Sequence, residues 1–214
     1  MTLDLSPDEV LTTTRSVRKR LDLTKKVPRA LIEECLEIAF QAPNGSNMNT
    51  WKWLVVDDPA TVKKVGDLYV KTQEDFLKLY GAGYKGTDVS SNEKMTESVF
   101  FLRDHLERMP AILFPLMAGR PEGYDVFWQA SSWGSIIQAV WSFFLALRVR
   151  GLGSAWTTAH LIREKEMAAL LGIPADQYTQ VGLFPIAYTL GTDFQKAARR
   201  PLKDVLSWNK FAER

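Results

Sequence analysis

Two arginines and a serine lie within four residues near the N-terminus of this 214-residue chain. This basic cluster consists of Arg15, Ser16, Val17 and Arg18. Guanidinium groups bind phosphate oxygens in a bidentate manner, and a hydroxyl or a backbone N–H group can donate to a further oxygen. The cluster therefore predicts a site for a terminal phosphate group. Because further lysines and arginines follow as far as Lys26, the cluster taken alone is more typical of a solvated basic turn.

Composition limits what else the chain can do. Hydrophobic residues (46%) and charged residues (24%) occur at the levels of a soluble globular protein, and we expect one domain over residues 1–214. The net charge of +2 is too small to indicate a nucleic-acid partner. Cys35 is the only cysteine, which excludes an internal disulfide and argues against a metal site. With no signal-peptide pattern, and with an apolar stretch at 135–147 too short to span a bilayer, we expect a cytoplasmic protein without a membrane partner.

Hydrophobic periodicity predicts the elements that position these residues. Ser6, Pro7 and Glu9 are typical of a helix start with a capping box. Further helices are predicted over residues 28–41, 58–81, 96–107, 126–150 and 162–171. Extended segments are predicted over residues 51–56, 111–117, 154–158 and 179–190. Cys35 falls on the apolar face of its helix and is expected in the core, and the glycine-rich residues 81–92 are predicted to form a loop that could close over a site.

The helix predicted over residues 126–150 carries aromatic or branched residues on nearly every side. A helix that is apolar all round must be covered all round. A domain of this size offers little to cover it completely, so we expect a second copy of the chain to do so and predict a homodimer. The alternative is a helix buried inside a monomer.

Three further features follow the basic cluster in order: a loop over residues 43–47 ahead of a strand that contains tryptophans, the turn Gly151-Leu152-Gly153, and the late segment Arg199-Arg200-Pro201-Leu202. With this order and spacing the chain resembles the nitroreductase family of flavin-dependent oxidoreductases over essentially its whole length. The resemblance implies an α+β fold in which a central, mainly antiparallel sheet is flanked by helices. It also implies a dimer with a long buried central helix and with FMN bound at the interface.

The resemblance assigns residues to the FMN site. The basic cluster and Arg199 would bind the phosphate. The loop that meets the flavin from the opposite subunit, here named the 43–47 loop, comprises Pro43, Asn44, Gly45, Ser46 and Asn47. The segment after the Gly-Leu-Gly turn lies along the isoalloxazine in relatives, where a backbone N–H group reaches flavin N5. This 157–159 segment comprises Thr157, Thr158 and Ala159.

The chain departs from the family pattern at two places. Thr14 stands where many members have an arginine, so one phosphate contact is either lost or made by a hydroxyl. Asn49 and Thr50 replace the usual Gln-Pro pair before Trp51. On their own, Asn47 and Asn49 are typical of turn chemistry.

The resemblance implies a ping-pong reaction in which NADH or NADPH reduces FMN at N5 and an electron-poor acceptor, such as a nitroaromatic or a quinone, then oxidises it. No side-chain acid or base is required, which agrees with a sequence whose only histidines are His105 and His160 and which has no hydrolase signature. His160 follows the 157–159 segment and could either line the pocket or serve a structural role. Two alternatives remain open: a specialised member that catalyses dehalogenation, dehydrogenation or flavin fragmentation, and a non-catalytic FMN-binding protein.

Overall fold

The computed structural model describes residues 2–80 and 92–212. The helices are α1 (Pro7–Thr13), α2 (Arg29–Ala39), α3 (Pro59–Tyr80), α4 (Asn92–His105), α5 (Val126–Val149) and α6 (Glu164–Leu171). The strands are β1 (Trp51–Val56), β2 (Ala111–Ala118), β3 (Leu152–Gly153), β4 (Tyr178–Gln180) and β5 (Phe184–Tyr188). Of the loop predicted over residues 81–92, residues 81–91 lie outside the described residues. Asn92 is the first residue of α4.

The strands form one antiparallel sheet. Its order is β1-β2-β5-β3, and β4 pairs with β2 as well. Helices flank the sheet, as the resemblance implies. One parallel bridge, between Ser16 and Ser154, attaches the basic cluster to the end of β3.

Strand β2 is buried on both faces and separates two hydrophobic cores. Because successive side chains of a strand point to opposite faces, Ile112 and Phe114 belong to one core while Ala111 and Leu113 belong to the other. Helices α3 and α6 pack on the first face, and α2 and α5 pack on the second. Cys35 is fully buried on α2, as predicted.

Helix α5 is only partly covered by its own chain. Ile136, Val140 and Phe143 are buried against the sheet, whereas Phe127 and Trp141 on other sides are exposed. The apolar stretch at 135–147 was predicted to be too short to span a bilayer. The whole of α5, with 24 residues, is long and apolar enough to do so by length and composition. Its packing is that of a core helix with one uncovered side.

Several boundaries differ from the sequence prediction. Helix α1 starts as predicted, with the Ser6 and Glu9 side chains both bonded to backbone N–H groups of the cap. Helix α4 begins four residues before the predicted start at residue 96, and α6 follows a 3-10 turn over Ala159–Arg163. The single extended segment predicted over residues 179–190 is two strands, because Leu183 between them pairs with Thr157 instead of with β2.

Candidate functional site

The basic cluster lines a surface cleft of about 390 Å³, here named the basic cleft. Its other walls come from Lys19, Arg20, Ser98 on α4, and the tail residues Asp193, Phe194, Gln195 and Lys196. Five lining residues are basic, Arg15, Arg18, Lys19, Arg20 and Lys196, and one is acidic, Asp193. The cleft is therefore a cationic site built from the two ends of the chain and α4.

The backbone of the basic cluster is fixed by β3. The Val17 N–H group donates to the Ser154 carbonyl at 2.8 Å. A side chain at Gly153 would bring its Cβ within 3.0 Å of Val17 Cβ and 2.8 Å of Thr189 Cγ2. Glycine at this position therefore allows the cluster to lie directly against the sheet.

The two arginines of the cluster are held by neutral groups. Arg15 Nη1 donates to the Gln195 carbonyl at 3.1 Å, and Arg18 Nη1 donates weakly to Ser98 Oγ at 3.4 Å. Burial lowers the pKa of Arg18 because it penalises the charged guanidinium. By contrast, Lys19 and Arg20 already have carboxylate partners, Glu97 and Asp193. Within the described residues, neither Arg15 nor Arg18 has one, so both can receive an anion from outside the chain.

Tyr69 on α3 anchors the 157–159 segment. Its hydroxyl lies 2.7 Å from Thr157 Oγ1 and accepts from Gln73 Nε2 at 3.0 Å. Burial raises the pKa of Tyr69, although the positive charge of Arg18 acts in the opposite direction, so the hydroxyl stays neutral. Thr157 is also held to the sheet, because its N–H and carbonyl groups both pair with Leu183, at 3.2 and 2.8 Å.

The 43–47 loop is held against α5. The Gly45 N–H group donates to Ser135 Oγ at 2.8 Å, and a Cβ at Gly45 would lie 2.4 Å from Ser131 Oγ. Ser46 and Asn47 adopt positive φ angles of 51° and 54°. A separate small pocket lies between this loop and α5.

The structure brings together some of the predicted FMN residues and leaves others apart. The four residues of the basic cluster line one cleft, whereas Thr157 is bonded to Tyr69, and neither of these two is among the described residues that line that cleft. Among the described residues lining that cleft, none belongs to the 43–47 loop, and Arg199 is not one of them either. Arg199 Nη1 instead donates to the Ala198 carbonyl, while the tail reaches the cleft earlier, at residues 193–196.

Both departures from the family pattern have a local structural role. The Thr14 hydroxyl donates to the Val10 carbonyl at 2.6 Å, so its hydrogen is already engaged in a bond to the last turn of helix α1. Asn49 and Asn44 exchange hydrogen bonds, at 2.9 and 3.0 Å, and Asn49 has a φ angle of 48°. The turn chemistry expected of Asn49 is therefore present.

Sequence reasoning missed the residues that reach the cleft from distant parts of the chain. Ser98 and Gln195 bind the cluster arginines, and Lys196 adds a further charge to the wall. Tyr69 falls within the helix predicted over residues 58–81, and no prediction singled it out for the site. The one signal that could have found it is a polar hydroxyl on an otherwise apolar helix face, which must bond to something when buried.

Two titratable side chains near these elements are structural. Burial raises the pKa of the Cys35 thiol to about 11, which agrees with the inert core thiol predicted from the sequence. His160 is fully buried with its ring edge-on to Phe114, and burial lowers its pKa to about 3. Of the two roles considered for His160, the structural one is therefore correct.

Comparison with known proteins agrees with this fold. The nitroreductase family profile matches residues 11–188. The chain is 18% identical to a BluB-like flavoprotein from Clostridium difficile 630, with a TM-score of 0.72 over 96% of this chain and 100% of that one. It is 22% identical to iodotyrosine deiodinase bound to FMN and 3-iodo-L-tyrosine, with a TM-score of 0.72 over 95% and 99%. It is 21% identical to the FMN- and NADPH-dependent nitroreductase NfnB from Sphigopyxis sp. strain HMH, with a TM-score of 0.69 over 97% and 100%.

At these identities, the solved structures establish the fold. The family profile covers most of the chain, and the chain therefore belongs to the nitroreductase family.

Proposed function

We propose that this protein is an FMN-dependent oxidoreductase that takes hydride from NADH or NADPH and passes it to an electron-poor acceptor. The observation that carries the proposal is the basic cleft, in which Arg15 and Arg18 are held only by neutral groups among the described residues. Arg18 is partly buried, and a partly desolvated guanidinium without a carboxylate partner is stabilised by a phosphate group. These residues therefore fit the phosphate end of FMN.

The residues that would hold FMN have distinct roles. Arg15 and Arg18 would bind phosphate oxygens, with the Ser16 hydroxyl as a further donor, while the backbone of Val17 stays fixed to Ser154. The Thr157 N–H group already donates to Leu183. The backbone donor that the family presents to flavin N5 would therefore come from Thr158 or Ala159. When bound, FMN would supply the hydride chemistry between the nicotinamide and an acceptor such as a nitroaromatic or a quinone.

We infer that the active form is a homodimer. The exposed apolar residues of α5, including Phe127 and Trp141, form a surface that a second copy would cover. The 43–47 loop packs against the same helix. In a dimer that covers α5 this loop would therefore lie at the interface, where we expect it to face the partner's basic cleft. Pro43, Asn44, Gly45, Ser46 and Asn47 would then complete the site across the interface. Arg199 would join the phosphate from the tail only if residues beyond Lys196 move towards the cleft when FMN binds.

The test is anaerobic reduction of the flavin in the purified protein. The proposal predicts that added FMN is retained and that NADH or NADPH bleaches its absorbance rapidly, after which nitrofurazone or menadione restores it. If the protein does not bind FMN, the proposal fails. Retained flavin that neither nicotinamide reduces would favour a binding or storage role, and rapid reduction without turnover of either acceptor would favour a specialised member of the family. We place the activity in the cytoplasm, where both nicotinamides are supplied.

A further inference from the structure

A second, smaller cavity lies behind the basic cleft. About 10 Å³ of it is open to the centre of a water-sized particle, so it holds one small particle. Its walls include Thr14, Arg148, Gly153 and Ser154, and it shares Arg15, Val17 and Phe194 with the basic cleft. The ring of Phe194 therefore lies in the wall between the two spaces.

The small cavity is bordered by a buried cation without a counter-charge. Arg148 is 5% exposed, and within the described residues it has no carboxylate partner. Its Nη2 atom donates to Thr13 Oγ1 at 3.1 Å, but its Nε atom has no hydrogen-bond partner in the described part of the chain. Burial and the nearby charge of Arg20 both lower the pKa of Arg148, and a guanidinium remains charged at neutral pH even so.

A second unsatisfied polar group borders the same cavity. Ser154 is 4% exposed, and its hydroxyl oxygen also has no partner among the described residues. Buried polar groups are nearly always hydrogen-bonded, so two unsatisfied groups around one small cavity indicate a missing occupant. A water molecule could bond to both groups, but it would leave the charge of Arg148 uncompensated.

The neighbouring arginines show what is unusual about Arg148. Arg150, two residues further along, pairs with Glu34, and Arg20 pairs with Asp193. Arg20 and Arg148 both lie over the ring of Phe194, with Cζ atoms 4.3 and 5.0 Å from its centroid. An anion beside Arg148 would offset the repulsion between these two cations and hold Phe194 between them.

We propose that this cavity binds a single-atom anion of the halide class, chloride in the cell, through the Arg148 guanidinium and the Ser154 hydroxyl. Arg148 and Ser154 line this cavity and not the basic cleft, although Arg15, Val17 and Phe194 line both spaces. The proposal does not depend on the identity of the cofactor. Its consequence is that chloride stabilises the position of Phe194 and, through it, the inner wall of the cleft.

The first test is thermal unfolding of the FMN-saturated protein during a sodium chloride titration, with sodium gluconate keeping the ionic strength constant. Chloride at tenfold its dissociation constant should raise the melting temperature of the wild type by about 3–5 °C, in a saturable manner. Arg148→Met should abolish this rise. The matched control Arg150→Met removes an arginine that already has a carboxylate partner, and it should keep the rise. An equal chloride response in the wild type and Arg148→Met would overturn the proposal, and so would a response that inorganic phosphate reproduces.

The second test needs no variant. Wild-type crystals soaked in sodium bromide should show an anomalous peak between Arg148 and Ser154, and the peak should persist with FMN bound. A water molecule at this position, with no bromide peak, would contradict the proposal.

Discussion

The basic cleft and the 43–47 loop are held by the chain in different ways. The cluster at the cleft is hydrogen-bonded to β3, to the tail and, weakly, to α4, three elements remote from one another in the sequence. The 43–47 loop is anchored on α5 through Gly45, and the remaining residues of the loop form a turn with positive φ angles. All the contacts that hold the basic cleft thus come from its own chain, whereas the 43–47 loop is held on one side only and is exposed on the other.

This difference indicates how the proposed site is divided. Within the described residues, Arg15 and Arg18 of the cleft have no carboxylate partner and the loop does not line the cleft, while the loop packs against an apolar helix that its own chain leaves partly exposed. If the proposed site consists of these two halves, it is complete only when two chains exchange them. The first two of the following changes each alter one half-site and leave the other intact, and the last two test residues buried outside both.

The largest effect is expected for Arg18→Ala, which removes a guanidinium from the cleft. Charge-assisted hydrogen bonds contribute about 1.5–3 kcal/mol each, so FMN affinity should fall by about tenfold to more than hundredfold. Isothermal titration of FMN into the cofactor-free protein measures this change. Arg29→Ala, which removes an arginine paired with Asp57, should leave FMN affinity unchanged. An Arg18→Ala variant with wild-type FMN affinity would show that the cleft is not the phosphate site.

The next effect is expected for Gly45→Val, which alters the loop and not the cleft. The new side chain would clash with Ser131 and Ser135, because even a Cβ would lie 2.4 Å from Ser131 Oγ. Such overpacking costs about 1–3 kcal/mol, and the displaced loop should weaken FMN binding by about tenfold. Fluorescence titration of FMN, together with urea unfolding, measures both changes. The control Gly123→Ala, at a glycine with open space around it, should change neither. Loss of stability with unchanged FMN binding would exclude the loop from the site.

A pH effect should come from His160, which is buried in the core beside Phe114. The pKa of His160 is lowered to about 3 in the folded protein, whereas an unfolded histidine titrates near 6.5. Between these values the unfolded state binds the extra proton, so stability falls as the pH decreases, by about 1.4 kcal/mol per pH unit. Urea unfolding from pH 7 to pH 4 should show this slope in the wild type and a shallower slope in His160→Leu. His105→Gln should keep the wild-type slope, and equal slopes in all three proteins would contradict the assignment.

The smallest effect on the site is expected for Tyr69→Phe, which tests the anchoring of the 157–159 segment to α3. The substitution removes the hydrogen bonds to Thr157 and Gln73 and leaves the ring in the core, at a cost of about 1 kcal/mol for each bond. We expect the rate of flavin reduction by NADPH to fall severalfold while FMN affinity changes little, because the segment and not the phosphate site is loosened. Stopped-flow reduction of the bound flavin measures the rate. A loss confined to FMN affinity would assign Tyr69 to the phosphate site instead.

Local signals in the sequence predicted most of the elements. The Ser6 and Glu9 capping box gave the start of α1, and strand β1 runs over the predicted residues 51–56. Residue spacing could not predict contacts between distant parts of the chain. Ser98 lies 80 residues from Arg18, and Thr157 lies 88 residues from Tyr69, so both pairs form only through tertiary packing.

The same limit explains the difference at β5 and the tail residues that were missed, while the role of Arg199 stays a prediction. A continuous apolar stretch predicted one strand, but Leu183 is taken out of the β2 pairing by Thr157. Arg199 was assigned by resemblance, and the described tail instead reaches the cleft through Gln195 and Lys196. The four residues of the basic cluster are adjacent in sequence and line one cleft, and their binding of FMN stays a prediction.

The most direct test of the divided site is complementation between two variants. Differently tagged Arg18→Ala and Gly45→Val chains would be co-expressed and the heterodimer purified. Its bound FMN would be measured at an FMN concentration at which neither variant homodimer binds the cofactor. If each site takes its cleft from one chain and its loop from the other, one site of the heterodimer carries both changes and the other carries neither. The account predicts that the heterodimer retains about half the FMN of the wild-type dimer. A heterodimer as free of FMN as the two homodimers would contradict it.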